Sequence, residues 1–256
     1  MKQVVASVLS NEEILPGIHV LWVQAPGIAS AARPGQFVMV RVGQHYEPLL
    51  RRPLAVHRVS PFRTPTQFAL AFAVVGRGTK WLSQRVPGDT IDVLGPLGNG
   101  FAVNSGNLLL VAGGLGIAPL VALAEQQLAQ GATITLVMGA ATRNQLYPDS
   151  LLPGGIRLVI ATEDGSAGEK AMASDLTPGL ISDADQVFAC GPISMYESMH
   201  RLALLTRKSV QVSMEARMGC GFGVCLGCAI ETRQGMKLVC HDGPVFELRD
   251  IMWKVK

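Results

Sequence analysis

Residues 108–120 read LLLVAGGLGIAPL. Leu108 to Ala112 form an unbroken apolar run closed by glycines, the pattern of a short strand buried on both faces. Gly113, Gly114 and Gly116 supply a tight turn, and Pro119 suits the first turn of a helix, predicted over 119–130 and stopped by Gly131. Working outward toward the C-terminus, further apolar runs predict strands at 133–138, 157–161, 186–189 and 210–213, with a helix over 194–207. Strands alternating with helices read as a parallel α/β sheet.

Upstream the pattern is different. Alternating runs at 4–9, 19–24, 37–42, 54–59, 68–74 and 90–93 are separated by Pro16-Gly17, Pro26-Gly27, Pro34-Gly35, Pro61, Pro87-Gly88 and Gly95-Pro96. Short strands broken by turn residues, with one short helix at 80–85, predict a small antiparallel barrel. Downstream of Glu215 the chain becomes rich in Gly and Cys and loses regular apolar periodicity. The expected division is therefore a barrel at 1–100, an α/β domain at 101–214 and a cysteine-bearing module at 215–256. A chain of 256 residues is long enough for this many units.

Composition excludes several classes. With 48% hydrophobic and 16% charged residues the chain is not disordered. A net charge of +3, spread without blocks, does not imply nucleic acid as a partner. No stretch approaches the roughly twenty apolar residues needed to cross a bilayer. The N-terminal MKQVVASVLSNEE lacks a signal-peptide or transit-peptide pattern, so a cytoplasmic protein is expected.

The cysteines carry the most specific signal. Cys220, Cys225, Cys228 and Cys240 are spaced C-x4-C-x2-C-x11-C, and the first three reproduce the plant-type ferredoxin spacing for a [2Fe-2S] cluster. Gly219, Gly221, Gly223 and Gly227 let such a loop bend and bring N–H groups near sulfur. A structural zinc site is the competing reading, since four thiolates also satisfy tetrahedral Zn. Zinc loops commonly use two C-x2-C knuckles, and only one is present here. Cys190, at the end of an apolar strand, reads as a packed or nucleotide-adjacent thiol and not as a ligand.

The turn after residue 112 is a G-x-G-x-x-P variant of a dinucleotide fingerprint, with a pyrophosphate expected at the helix N-terminus near Gly113, Gly114, Gly116, Ile117 and Pro119. A second turn, Cys190-Gly191-Pro192, ends another strand of the same sheet, where ligand crevices form. The acid that would read a ribose is missing after the second strand, which leads instead to Thr142 and Arg143. The choice between NAD and NADP stays open on these residues.

The order R-P-L-A, G-G-L-G-I-A-P-L, C-G-P, then M-G-C-G-F-G-V-C-L-G-C and C-H-D-G-P-V-F resembles the ferredoxin-NADP reductase superfamily. Over essentially its whole length the chain is similar to the electron-transfer subunits of two-component, NAD-dependent dihydroorotate dehydrogenases. The resemblance implies a Greek-key β-barrel that binds FAD, a parallel α/β domain that binds NAD and a C-terminal [2Fe-2S] module. It implies flavin contacts from Arg52, Pro53, Leu54 and Ala55, from Ala71, Phe72 and Ala73, and from Gly78 and Thr79. It also implies cluster ligation by Cys220, Cys225, Cys228 and Cys240. Read without the resemblance, the arginines pass as solvated surface charges. Ala55 departs from the family, which usually has Ser there to contact flavin N5.

The implied partner is an FMN-containing catalytic subunit, in a heterotetramer with two copies of each chain, and the orotate chemistry belongs to that partner. This chain is then expected to relay electrons from the partner flavin through the cluster and FAD to NAD in pyrimidine biosynthesis, with no catalytic side chain of its own. His241 beside Cys240 reads as a satisfied surface histidine, the alternative being a hydrogen bond that tunes the cluster. Two rivals remain: a stand-alone reductase feeding an oxygenase, whose fourth cysteine usually lies further downstream, and a zinc-stapled binding module.

Overall fold

A computed structural model describes residues 1–43, 47–60, 65–104, 106–206 and 208–253, without the side chains of 203–206. The turn expected at Pro61 and the helix end expected at Arg207 lie outside the described residues. The first half is a closed barrel built from β1 (Lys2–Leu15), β2 (Ile18–Gln24), β3 (Phe37–Val40), β4 (Arg52–Ser60), β5 (Gln67–Ala73) and β6 (Thr90–Leu97). Its order, β1-β2-β5-β4-β3-β6, is antiparallel throughout, and the jump from β2 to β5 makes it a Greek key. Closure removes unpaired edges, and Val38, Val40, Phe68, Leu70 and Val93 fill the interior.

β1 is much longer than the alternation at 4–9 suggested. Register shifts between Val8 and Ser10 and between Glu13 and Leu15 break the period of two, so the polar stretch Ser10-Asn11-Glu12-Glu13 remains paired to β2 while hiding its strand character. Within the barrel, α1 (Pro26–Ala29) and α2 (Arg77–Ser83) are short. α2 begins three residues before the expected 80–85. The Thr79 hydroxyl accepts the N–H groups of Val75 and Gly76 at 2.9 and 3.2 Å and so starts the helix early.

The second half is a sheet of β7 (Asn107–Gly113), β8 (Thr133–Ala140), β9 (Ile156–Thr162), β10 (Glu169–Lys170), β11 (Gln186–Cys190) and β12 (Val210–Ser213), all parallel. α3 (Ile117–Leu128), α4 (Ala173–Leu176) and α5 (Ile193–Thr206) connect them. α3 starts at Ile117, two residues before the expected Pro119, because a single 3-10 turn over Gly114–Gly116 runs directly into it. Pro119 is tolerated there because first-turn N–H groups have no helical partner.

The cysteine-rich tail holds more regular structure than its composition suggested. β13 (Ala229–Thr232) and β14 (Gly235–Leu238) form a hairpin, and β15 (Val245–Glu247) joins β12 as the antiparallel edge of the large sheet. Strands of three and four residues are too short to print a period in sequence.

Barrel and sheet meet along β4 and α3. Arg58 and Glu125 form an ion pair at 3.1 Å. His57 is fully buried between Ala118 and Tyr147, and burial pushes its pKa down to about 4. The neutral ring donates from Nδ1 to the Ala118 carbonyl at 2.9 Å and accepts the Tyr147 hydroxyl at Nε2, 3.1 Å away.

Candidate functional site

Two of the cavities at and beside this seam form the candidate site. The first, of about 630 Å³, lies at the carboxyl ends of β7 and β8 and is walled by Gly113, Gly114 and Leu115, by 139–142, and by Pro192. This is where open α/β sheets bind ligands. The glycines of the two turns do separate jobs. A Cβ on Gly116 would lie 2.0 Å from the Cys190 carbonyl oxygen, one on Gly113 2.7 Å from Pro192 Cδ, and one on Gly191 2.6 Å from Met195 Cε. These three glycines pack one turn into the other. Gly114, at φ +54° with open space beyond it, is the position that leaves room for a ligand. Gly116, expected to let a ligand approach, instead lets β11 approach, and the Ile117 side chain is buried in the core beside β7.

The second cavity, of about 420 Å³, lies between the domains. One wall is Arg52, Pro53, Leu54 and Ala55 with Ala71, Phe72, Ala73 and Thr79; the facing wall is Leu115, Ala118, Pro119 and Cys190. The Phe72 side chain is buried in the barrel against His19, with ring centroids 5.5 Å apart, so this residue offers the cavity its main chain. Gly78 does not line the cavity. It lies behind Arg52, where a Cβ would sit 2.9 Å from Nε, so its lack of a side chain lets the guanidinium lie against α2. Arg51 is spent differently, bound to Asp92 through two hydrogen bonds at 3.0 and 2.8 Å.

Sequence reasoning missed the floor of this cavity, formed by Ser213, Met214, Glu215, Ala216, Met218 and Pro244. Glu215 stands two residues past the end of β12, and its burial raises its pKa. The rule that ligands collect at carboxyl ends of strands was the available signal. Beneath this floor the Cys190 thiol donates to the Ser213 carbonyl at 3.6 Å, and burial pushes its pKa up to about 12. It takes no part in the four-cysteine group. Tyr196 completes the support, accepting the Gly191 N–H at 2.9 Å and donating to Ser213 at 2.7 Å.

From Met218 the chain runs into the cysteine loop. Gly221 rests on the barrel, its Cβ position 2.5 Å from Met39 Cγ, and the Asn99 N–H donates to Gly243 at 2.6 Å on the other side. N–H groups of Val224, Gly223 and Cys240 donate to the sulfurs of Cys220, Cys240 and Cys228 at 3.3, 3.1 and 3.4 Å. Burial raises the Cys220 pKa, but N–H groups of Phe222, Cys225 and Val224 outweigh it and bring the thiol down to about 6. Burial, then Cys228, push Cys240 up to about 12. The four thiols form one interacting group: Cys220 lies beside Cys225, and Cys240 feels both Cys228 and Cys220. Among the described residues no three His, Cys, Asp or Glu side chains converge on one point to hold a single ion. Four soft donors with main-chain N–H groups on their sulfurs are the donor set that a [2Fe-2S] cluster takes. His241 is exposed beside Asp242, as expected.

Comparison with known proteins agrees with this geometry. The sequence profile of the iron-sulfur cluster binding domain of dihydroorotate dehydrogenase B matches residues 215–252. The dihydroorotate dehydrogenase B (NAD(+)) electron transfer subunit of Desulforamulus reducens is 37% identical, over 97% of this chain and 98% of its own. The subunit of the same name from Geobacillus sp. is 36% identical over 98% of this chain and 99% of its own. A chain from the structure of an NADH-dependent reduced ferredoxin-NADP oxidoreductase, studied for flavin-based electron bifurcation, superposes with a TM-score of 0.84. It is 33% identical over 98% of this chain and 90% of that one. A ferredoxin NADP+ reductase from Neisseria gonorrhoeae, with FAD and NADP bound, shares the fold at 16% identity over 80% of this chain and 91% of its own, with a TM-score of 0.63. The chain belongs to the family of dihydroorotate dehydrogenase B electron transfer subunits.

Proposed function

We propose that this chain passes electrons from the flavin of a catalytic partner subunit to NAD, through a [2Fe-2S] cluster and an FAD that it holds itself. The observation that carries this reading is contiguity. Leu115 lines both cavities, and the 213–218 floor of the second reaches Cys220 two residues later. Bound in this order, FAD exchanges an electron pair with a nicotinamide and single electrons with an iron-sulfur centre.

Each part of the chain has a definite task in this scheme. Arg52 neutralises the flavin pyrophosphate, and the main chain of Leu54, Ala55 and 71–73 frames the ring system. Ala55 offers no hydroxyl, so a polar contact to the ring comes from elsewhere on the wall. Gly114 and the N-terminus of α3 receive the nicotinamide pyrophosphate. Cys220, Cys225, Cys228 and Cys240 hold the cluster, while the N–H groups around them offset its negative charge. Cys225 is exposed, its loop neighbours Phe222, Val224 and Leu226 are 43, 71 and 64% exposed, and Met236, 65% exposed, lines one cleft with Phe222 and Leu226. That apolar rim is the face offered to the catalytic subunit. We assign FMN to that subunit and two copies of each chain to the assembly. The three-part division at residues 100 and 214 and a cytoplasmic location belong to the same reading; among the described residues no helix is long and apolar enough to cross a membrane.

Co-expression with the cognate catalytic subunit tests the proposal. The expected complex contains FAD, iron and acid-labile sulfide at about 1:2:2 per chain and reduces NAD with dihydroorotate. Zinc in place of iron removes the relay. A second reading rests on the 33% identity to the chain from the bifurcating enzyme's structure. In that reading this chain's three sites serve a different partner, and a complex inert to dihydroorotate but active with a different low-potential donor favours it.

A further inference from the structure

The sequence leaves NAD and NADP undistinguished because β8 leads to Ala141, Thr142 and Arg143, with no acid. The fold brings an acid from the neighbouring strand. Glu163 follows β9 directly, and its N–H donates to Ala140 at 3.2 Å, which sets it beside the end of β8. Glu163 lines the cavity that opens at Gly114, together with Thr142, Asn144 and Gln145.

This arrangement is braced from outside. The Asp164 N–H donates to the Ala141 carbonyl at 3.2 Å, the Arg143 N–H donates to Ser166 Oγ at 2.8 Å, and that hydroxyl donates to Asp164 Oδ1 at 2.6 Å. The turns after β8 and β9 are thereby held to each other. Asn144, Gln145 and Glu163 line the cavity, whereas Arg143, Arg157 and Lys170, the cations on these strands and turns, do not. Hydrogen bonds from Ser166 hold Asp164 below the usual carboxylate range, so it adds negative charge beside Glu163. β7, β8 and β9 are successive neighbours, which puts Glu163 about 10 Å across the sheet from the Gly114 turn. That is the scale separating a dinucleotide's pyrophosphate from the far side of its adenosine ribose.

We infer that Glu163 accepts a hydrogen bond from the adenosine 2′-hydroxyl and repels a 2′-phosphate, so that this cavity takes NAD(H) and rejects NADP(H). The assignment rests on the cavity being the nicotinamide dinucleotide site, and it names the side chain that selects among such ligands. A hydroxyl donates to a carboxylate; a 2′-phosphate near neutral pH carries its own charge and has only acceptors to offer.

The test is calorimetric titration of the assembled complex, with NADH and NADPH separately, for the wild type, Glu163→Gln, Glu163→Arg and Arg143→Ala. NADH should bind the wild type at least about a hundredfold more tightly than NADPH, and Glu163→Gln should weaken NADH about tenfold while strengthening NADPH. Glu163→Arg should reverse the preference, with FAD content and visible spectrum unchanged, and Arg143→Ala should leave the preference intact. An unchanged NADH/NADPH ratio in Glu163→Gln overturns the assignment, as does a preference controlled by Arg143. A wild-type complex that binds neither nucleotide removes the reading of the cavity itself, a separate failure recognisable before any variant is made.

Discussion

The seam between barrel and sheet and the cysteine loop are built on opposite principles. At the seam, His57 of β4 is fully buried and bonded to Ala118 and Tyr147 of the sheet half, and just behind it Gly116 is pressed against the Cys190 carbonyl, so fitted contacts fix this region. In the loop, Cys225 is exposed, Gly223 takes φ +89°, and sulfur is held by main-chain N–H groups. Stability is concentrated in the first region and redox function in the second. Glycine serves both: protein fills the space beside Gly116, whereas beside Gly219 and Gly227 the neighbour is Cys225 Sγ, with Cβ positions 3.4 and 3.7 Å away.

This contrast can be broken by experiment. Cys225→Ala should have the largest effect, abolishing the iron-sulfur electron paramagnetic resonance signal and electron flow while leaving the melting temperature of the FAD-loaded chain nearly unchanged. A retained signal removes Cys225 from the ligand set. Gly116→Ala should do the reverse, costing about 3 kcal/mol or more because the Cβ collides with main chain, which cannot step aside like a side-chain tip. Urea unfolding measures it, and a loss below about 1 kcal/mol shows that the two turns slide past each other.

His57 sharpens the seam side through pH. Its folded pKa is lowered to about 4 from 6.5, so between those values the unfolded chain binds the extra proton. Stability from this group is complete above about pH 6.5 and is lost as pH falls toward 4, by at most about 3 kcal/mol. Urea midpoints at pH 7 and 5 should differ less in His57→Gln than in the wild type. Arg52→Ala and Arg51→Ala make the smallest and most selective pair. Arg52→Ala should release FAD on dialysis with little change in the unfolding of the flavin-free chain. Arg51→Ala, which breaks the Asp92 pair, should cost about 1 kcal/mol and leave FAD content intact. Equal flavin loss in both variants contradicts the division of labour between the two arginines.

Much of the fold was legible because its signals are local. The run Leu108-Leu109-Leu110-Val111-Ala112 could only be a buried strand, and the stretch predicted at 210–213 is β12 without adjustment. β1 was cut short because bulges break the period, and β15 was missed because three residues carry none. In the candidate site, the cysteine quartet was readable from its spacing, and the Arg52–Ala55 wall only through the family resemblance. The cavity floor around Glu215 and the acid at Glu163 were not, since each reaches its cavity only through strands paired across the sheet.

By itself the sequence determined which residues have the chemistry: four thiols at a spacing that wraps one compact centre, and glycines where a chain must turn between strand and helix. Ligand spacing and turn chemistry act over a few residues, so they survive in one dimension. Only the tertiary structure decided which glycines meet protein and which meet open space, that Gly78 serves Arg52, and that Leu115 lines both cavities. Those outcomes depend on how close two distant segments come. That distance is set by packing of the whole sheet against the barrel, and no short stretch of chain encodes it.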